Sequence, residues 1–344
     1  MQKVGVTDQN IVDAVERNKW KNTLATVLRD WRLYVLLIPM LAFLVCFKYL
    51  PIKGILTGFK WGDDNSTLWN SQWCGFYWIN DVLFGSTANV FWKAFRNTFV
   101  NSMYGLIFGF PIPIILALLF SEVKNAHYLS FLQVCCYLPH FVSLVVVTTI
   151  IDLWCREGSE TTAGGILYKM FEALGWNTLD DGTKFTSGLL NHPKFFRPIY
   201  QISGVWEEAG YGSIVYFAAI LAISPTSYEA ARIDGASKLQ QIRYVTFPGM
   251  APTLVIMLIT RIGKILNIGY EKIILLVEDK ANSWETAEVI STYVYKMSGK
   301  SAATGINPQP QIGIVMDLFN SILAMALVIG SNSISRRVTS TSLF

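Results

Sequence analysis

Ser224-Pro-Thr-Ser-Tyr-Glu-Ala-Ala-Arg-Ile-Asp-Gly-Ala-Ser-Lys-Leu-Gln-Gln-Ile-Arg-Tyr-Val-Thr-Phe-Pro248 lies between two long apolar runs and reads as two short helices joined at a glycine. Thr226 and Glu229 have the spacing of a capping box, in which hydroxyl and carboxylate satisfy the free amides of a helix start. Ser237 and Gln240 repeat that spacing. Gly235, between them, supplies the left-handed residue that ends a helix, and Pro248 is expected to end the second helix. The segment is polar enough to sit outside a bilayer. Ala230 and Ala231 leave a surface that another protein's backbone could approach closely.

Outward from this segment the chain is dominated by apolar runs. A membrane helix needs about 20 mostly apolar residues, because no backbone group can stay unpaired in hydrocarbon. Six segments qualify: 33–50, 98–120, 131–154, 199–223, 254–277 and 312–331. Pro111 and Pro113 should kink the second. The expected fold class is therefore all-α, a polytopic membrane protein with six transmembrane helices spanning residues 33–332, with tails at 1–32 and 333–344. Six spans put both termini on one side. A slight excess of Lys and Arg favours the inside for them and for the loop 224–250, leaving 51–97, 155–198 and 278–311 outside. The aromatics of the first outside loop (Phe59, Trp61, Trp69, Trp73, Phe76, Tyr77, Trp78) suit interfacial anchoring or docking of an external partner.

Composition agrees. The 344 residues are 52% hydrophobic and 15% charged, against about 25% charged in soluble domains. A net charge of +4 without a basic, aromatic-studded patch argues against nucleic acid. Cys46, Cys74, Cys135, Cys136 and Cys155 form no CxxC pair, and His127, His140 and His192 are scattered, so no metal site is expected. The cysteines read as small hydrophobes, with a Cys74–Cys155 disulfide as the alternative. The N-terminus lacks the apolar core of a signal peptide. Ile11, Val15, Leu24, Val27, Leu28 and Trp31 suggest an interfacial helix; a disordered tail is the alternative for 1–15. Gly299-Lys300-Ser301 is no phosphate loop, because Val294 stands where the first glycine belongs. No other catalytic constellation is visible, so the chain is not expected to be an enzyme.

The order Glu-Ala-Ala, three residues, Gly, nine residues, Val-x-Phe-Pro resembles the EAA loop of ABC importer permeases, with Val245 and Phe247 replacing the usual Ile and Leu. Phe195-Phe-Arg-Pro-Ile-Tyr-Gln-Ile-Ser-Gly-Val-Trp206, Arg96-Asn-Thr, Gly109-Phe-Pro-Ile-Pro-Ile-Ile-Leu-Ala-Leu118, Tyr137-Leu-Pro-His-Phe141, Ser291-Thr-Tyr-Val-Tyr295 and Thr341-Ser-Leu-Phe344 are similar to LplB-type polysaccharide permeases of the maltose-permease-like group. The resemblance covers residues 31–344 and implies a type I ABC importer permease of the bacterial plasma membrane. Glu229, Ala230, Ala231, Asp234, Gly235 and Pro248 would couple it to a cytoplasmic ATPase. It further implies a second, different permease, two ATPase subunits that bind ATP and Mg2+, an external solute-binding lipoprotein and an oligosaccharide cargo. No cofactor is expected on this chain. Peptides or acidic sugar derivatives are the alternative cargo. A secondary transporter is the remaining rival, though no inverted repeat is visible.

Ionisable and aromatic residues inside spans mark candidates for the substrate path. Arg261, Lys264 and Glu271, at offsets of 0, 3 and 10, are expected to share one helical face with Asn267 and Tyr270 nearby. Lys264 departs from the family pattern, where an uncharged polar residue is more usual. It would either attract an acidic sugar or pair with Glu271 or a partner's carboxylate. Trp206, Glu207 and Tyr211 offer an aromatic face with hydrogen-bonding groups, or core packing. Asn97 and Asn101 lie one turn apart and would line the path or bond across helices.

Overall fold

The computed structural model describes residues 29–62, 71–158, 163–176, 187–299 and 309–339. Residues 11–28 of the expected interfacial helix, Lys300 and Ser301, Trp69 and the terminal 341–344 motif lie outside them. The chain forms two units, residues 1–57 with 63–71, and residues 58–62 with 72–344. From the first unit α1 (Trp31–Leu44) runs through a π-helical turn, Val45–Tyr49, into the 3-10 helix Leu50–Phe59, whose last two residues belong to the second unit. None of the residues of α1 is buried. An apolar helix with no buried face needs lipid or another chain around it.

Among its described residues the regular elements of the second unit are all helices, apart from one isolated bridge between Lys60 and Trp73. Helix α2 (Tyr77–Phe84) precedes α3 (Ala88–Gly109), which starts well ahead of residue 98. Helix α4 (Pro111–Glu122) continues α3 after an interruption at Phe110, where Pro111 and Pro113 donate no amide. Helix α5 (Ala126–Tyr137) is capped by Asn125, whose side chain accepts from the amides of His127 and Tyr128. The 3-10 turn Leu138–Phe141 then leads into α6 (Leu144–Cys155) across a 92° bend. After α7 (Ile166–Ala173) comes α8 (Pro193–Leu221), then α9 (Pro225–Ile233) at 69° to it.

Two expectations about the next stretch fail. Pro248 does not end a helix. The short α10 (Lys238–Gln241) passes through a π-helical turn, Ile242–Thr246, into α11 (Phe247–Gly263). Pro248 sits in the first turn of α11. A wide turn there opens the carbonyls that a proline ring would otherwise strike. Nor is 254–277 one helix: α11 stops at Gly263 and α12 (Tyr270–Val277) starts afresh. The intervening backbone closes tight turns, and its carbonyls find partners outside the helix. Asn320 Nδ2 donates to Leu266 O at 3.0 Å and the Ser291 hydroxyl to Ile268 O at 2.5 Å. Arg261, Lys264 and Glu271 therefore share no helical face. Helices α13 (Trp284–Ala287), α14 (Ile290–Met297) and α15 (Pro310–Thr339) complete the chain.

Trp31–Phe59, Ala88–Glu122, Lys238–Gly263 and Pro310–Arg337 are each long and apolar enough to cross a membrane, and the two bent pairs bring the number to six if each is one span. Three buried clusters hold the second unit. Ile114, Ala117, Tyr216, Ile220 and Met250 join α4, α8 and α11 beside the turn into α9. At the other end of α8, Phe196 packs with Val147, Ile151, Cys155, Leu189 and Ile273. Val82, Phe91, Ile290 and Met316 unite α2, α3, α14 and α15. All five cysteines are free thiols, Cys155 buried within its cluster, so no Cys74–Cys155 bridge forms.

Candidate functional site

Helix α9 buries none of its residues. Its N-cap is Ser224 with Pro225 following, and the Ser224 hydroxyl meets that of Thr226 at 2.7 Å. The capping box expected for Thr226 and Glu229 is therefore absent. The one at Ser237 and Gln240 is present, with the Ser237 amide donating to Gln240 Oε1 at 2.7 Å. Between the two helices Gly235 takes φ +76°. The amide of Ala236 reaches Ala231 O and that of Gly235 reaches Arg232 O, so the orphan carbonyls of α9 are satisfied by a left-handed cap. Glu229, Ala230, Asp234, Gly235 and Pro248 are exposed and Ala231 half-buried.

The segment is tethered from behind and bare in front. Tyr228 Oη meets Thr246 Oγ1 at 3.1 Å, and Lys238 Nζ reaches Glu122 Oε2 at 2.6 Å, at the end of α4. Ile233, Leu239 and Tyr244 remain 86%, 76% and 67% exposed. These apolar side chains stand free on a polar element that is tethered at its base.

Within the helical bundle the candidates separate into groups. Tyr211 stacks on His140, ring centroids 4.0 Å apart and planes at 9°, with Phe141 edge-on. His140 Nδ1 lies 3.5 Å from Glu208 Oε1. Trp206 is exposed on the same helix. Glu207 points elsewhere, into an ion pair with Lys272 at 2.8 Å in which both side chains are largely buried. Arg261 Nη2 donates to Gly105 O at 3.1 Å. Lys264, Asn267 and Glu271 are exposed, and among the described residues Lys264 and Glu271 form no ion pair. Tyr270 stacks on Tyr295 at 4.7 Å, and Asn320 Nδ2 reaches Asn267 Oδ1 at 3.4 Å.

Asn97 and Asn101 are buried between α3 and its neighbours. Asn97 Nδ2 donates to the carbonyls of Glu285 and Glu288, and its Oδ1 accepts from Arg197 at 2.7 Å. Neither side-chain atom of Asn101 has a partner, while its carbonyl accepts from Gln201. Sequence reasoning did not single out Lys272, Glu208, His140 and Arg197, which the structure brings against the candidate residues. His140 follows the proline that breaks its span, the one signal that marked it. The others depend on which face a helix turns inward. Among the described residues no group of His, Cys, Asp or Glu is arranged to hold a metal ion.

The model of one family, described as the binding-protein-dependent transport system inner membrane component, matches residues 82–306. Protein LplB of Bacillus subtilis (strain 168) is 32% identical over 321 residues, 93% of this chain and 93% of that protein. The polygalacturonan/rhamnogalacturonan transport system permease protein YteP of the same organism is 31% identical over 328 residues, 95% of each. A chain in the crystal structure of a bacterial ABC transporter involved in the import of the acidic polysaccharide alginate superposes with a TM-score of 0.76 at 34% identity, covering 92% of this chain and 99% of that one.

Proposed function

Because this chain belongs to the family of binding-protein-dependent transport system inner membrane components, we propose that it is one permease half of an ATP-driven importer of oligosaccharides. It is a membrane transport subunit and not itself an enzyme. The single observation that carries the mechanical part is the anchored but uncovered segment at 225–247. Ile233, Leu239 and Tyr244 project from it, and its base is tied to α4 through Lys238 and Glu122. In this reading an ATPase subunit that holds ATP and Mg2+ receives α9. Closure of the ATPase pair then pulls on α8 and α11, which enter and leave the segment. The termini and this segment are cytoplasmic, and 51–97, 155–198 and 278–311 face outward. There an external solute-binding lipoprotein delivers cargo to the pathway completed by a second permease.

Likeness supports the cargo. One relative's name specifies polygalacturonan and rhamnogalacturonan, and a solved neighbour imports alginate. The stacked His140–Tyr211 pair beside Glu208, with Trp206 on the same helix, presents flat apolar faces and acceptors that suit sugar rings. Lys264, exposed and without an ion pair among the described residues, suits an acidic sugar. The coupling role is tested in proteoliposomes holding the assembled complex. Glu229→Lys and Gly235→Val should leave the chain inserted but abolish ATP-driven uptake; full uptake by either sinks the coupling role. Equal uptake of acidic oligosaccharides by Lys264→Gln and the parent chain would remove Lys264 from the pathway.

A further inference from the structure

A cleft of about 520 Å³ opens at the end of α3 and α8 that lies away from the coupling segment. Trp92, Lys93, Arg96 and Asn97 line it from α3, Arg197 from the first turns of α8, and Glu285 from α13. Three cations face one carboxylate. Among the described residues, Lys93, Arg96 and Arg197 form no ion pair, and the buried Nε of Arg197 has no hydrogen-bond partner.

The floor is rigid. Asn97 is held by the carbonyls of Glu285 and Glu288 and in turn holds the Arg197 guanidinium. The Trp92 indole is fixed through its N–H to Leu83 O at 3.1 Å, leaving the ring 45% exposed. Arg197 also begins a polar stripe along α8. Gln201, Glu208 and Tyr211 follow, with Gly204 between the first two, at three- and four-residue steps, leading to the His140–Tyr211 stack.

We propose that this cleft is an entry-side anion subsite that takes the carboxylate of a uronate residue in the incoming oligosaccharide. The Arg197 guanidinium, held by Asn97, and the exposed Lys93 and Arg96 beside it meet a carboxylate by charge-assisted hydrogen bonds, and the exposed indole face accepts the apolar face of the same pyranose ring. The polar stripe favours sugar over lipid, because acyl chains below a bound headgroup would have to lie along polar side chains. The proposal rests on the importer reading above and deepens it by assigning a cleft, apart from Lys264, to the carboxylate of the cargo.

The test is calorimetric titration of trigalacturonate, and of its fully methyl-esterified form, against the full chain in nanodiscs of zwitterionic lipid. The free acid should bind at least about tenfold more tightly than the ester. Lys93→Gln and Arg96→Gln should each weaken the acid by about tenfold, whereas Arg156→Gln, outside the cleft, should not. Equal binding of acid and ester, or no effect of either cleft variant, overturns the proposal. Abolition of binding when phosphatidylglycerol is added to the nanodisc also overturns it, assigning the cleft to a lipid headgroup. ATP-driven uptake measured on the assembled complex keeps the two readings apart: binding without uptake counts against the transport reading and leaves the cleft standing.

Discussion

The guanidinium of Arg261 occupies the space that a side chain on Gly109 would need, and from there it donates to Gly105 O at 3.1 Å. The last turn of α11 is thereby pinned to α3 just before the break at Phe110. A cation inside a span is costly unless it finds acceptors, and Gly109 lets this one reach a backbone carbonyl on the neighbouring helix.

Gly109→Ala should dislodge that guanidinium without forcing the helices apart, because the obstructing atom is the end of a flexible side chain. Loss of one charge-assisted hydrogen bond is expected to cost about 1–3 kcal/mol. Thermal unfolding in detergent reads it. Gly105→Ala is the control, since its Cβ would meet Gln201 at an ordinary 3.7 Å. Equal melting of the two variants would show that the pin contributes nothing.

Gly210→Ala should do more damage. A Cβ there runs into the backbone carbonyl of Cys136, and a backbone cannot swing aside. The crossing of α5 and α8 would have to open, at a cost of at least about 1–3 kcal/mol. A variant that melts no lower than Gly109→Ala would contradict this ordering.

Lys272 and Glu207 join α12 to α8 with side chains only 12% and 14% exposed. Removing one partner leaves a buried charge, so Lys272→Met or Glu207→Leu alone should cost about 3–5 kcal/mol. The double variant Lys272→Met with Glu207→Leu should recover most of that. Additive losses in this double-mutant cycle would mean that the two groups do not depend on one another.

Asp81 ties the corner between α2 and α3. The Thr87 hydroxyl is the main cause that holds its carboxyl below the ordinary 3.8; burial opposes this and Ser86 assists through its hydroxyl and amide. A carboxyl lowered on folding adds stability above its unfolded value and loses it as pH falls through the folded one. Protection of the Ser86 amide, corrected for intrinsic exchange, should therefore hold from neutral pH down to about 3.8 and fail below. In Asp81→Asn that acid transition should vanish; its persistence would assign it to another group.

Much of the architecture was legible in the residues. Ser237, Gln240 and Gly235 act locally, through hydrogen bonds to amides and carbonyls a few positions away, so their roles can be read without knowing the rest of the chain. The apolar runs are legible for the same reason, since the pressure to pair every backbone group inside lipid acts on each run by itself. Where spacing misled, a neighbouring group competed in two cases and distant partners took part in the third. Thr226 bonded Ser224 and not the helix amides. Pro248 was carried through by a π turn. The run 254–277 was cut because Asn320 and Ser291 supplied partners to the carbonyls between α11 and α12.

The chain alone thus determined that it is helical, lipid-embedded and furnished with an exposed two-helix segment, because composition and short-range capping are local. Only the tertiary structure decided that Glu207 answers Lys272, that Tyr211 answers His140, and that Asn97 clamps Arg197 at the edge of a cationic cleft. Those pairings depend on which face each helix turns to its neighbour, and helical periodicity leaves that choice open until close packing makes it.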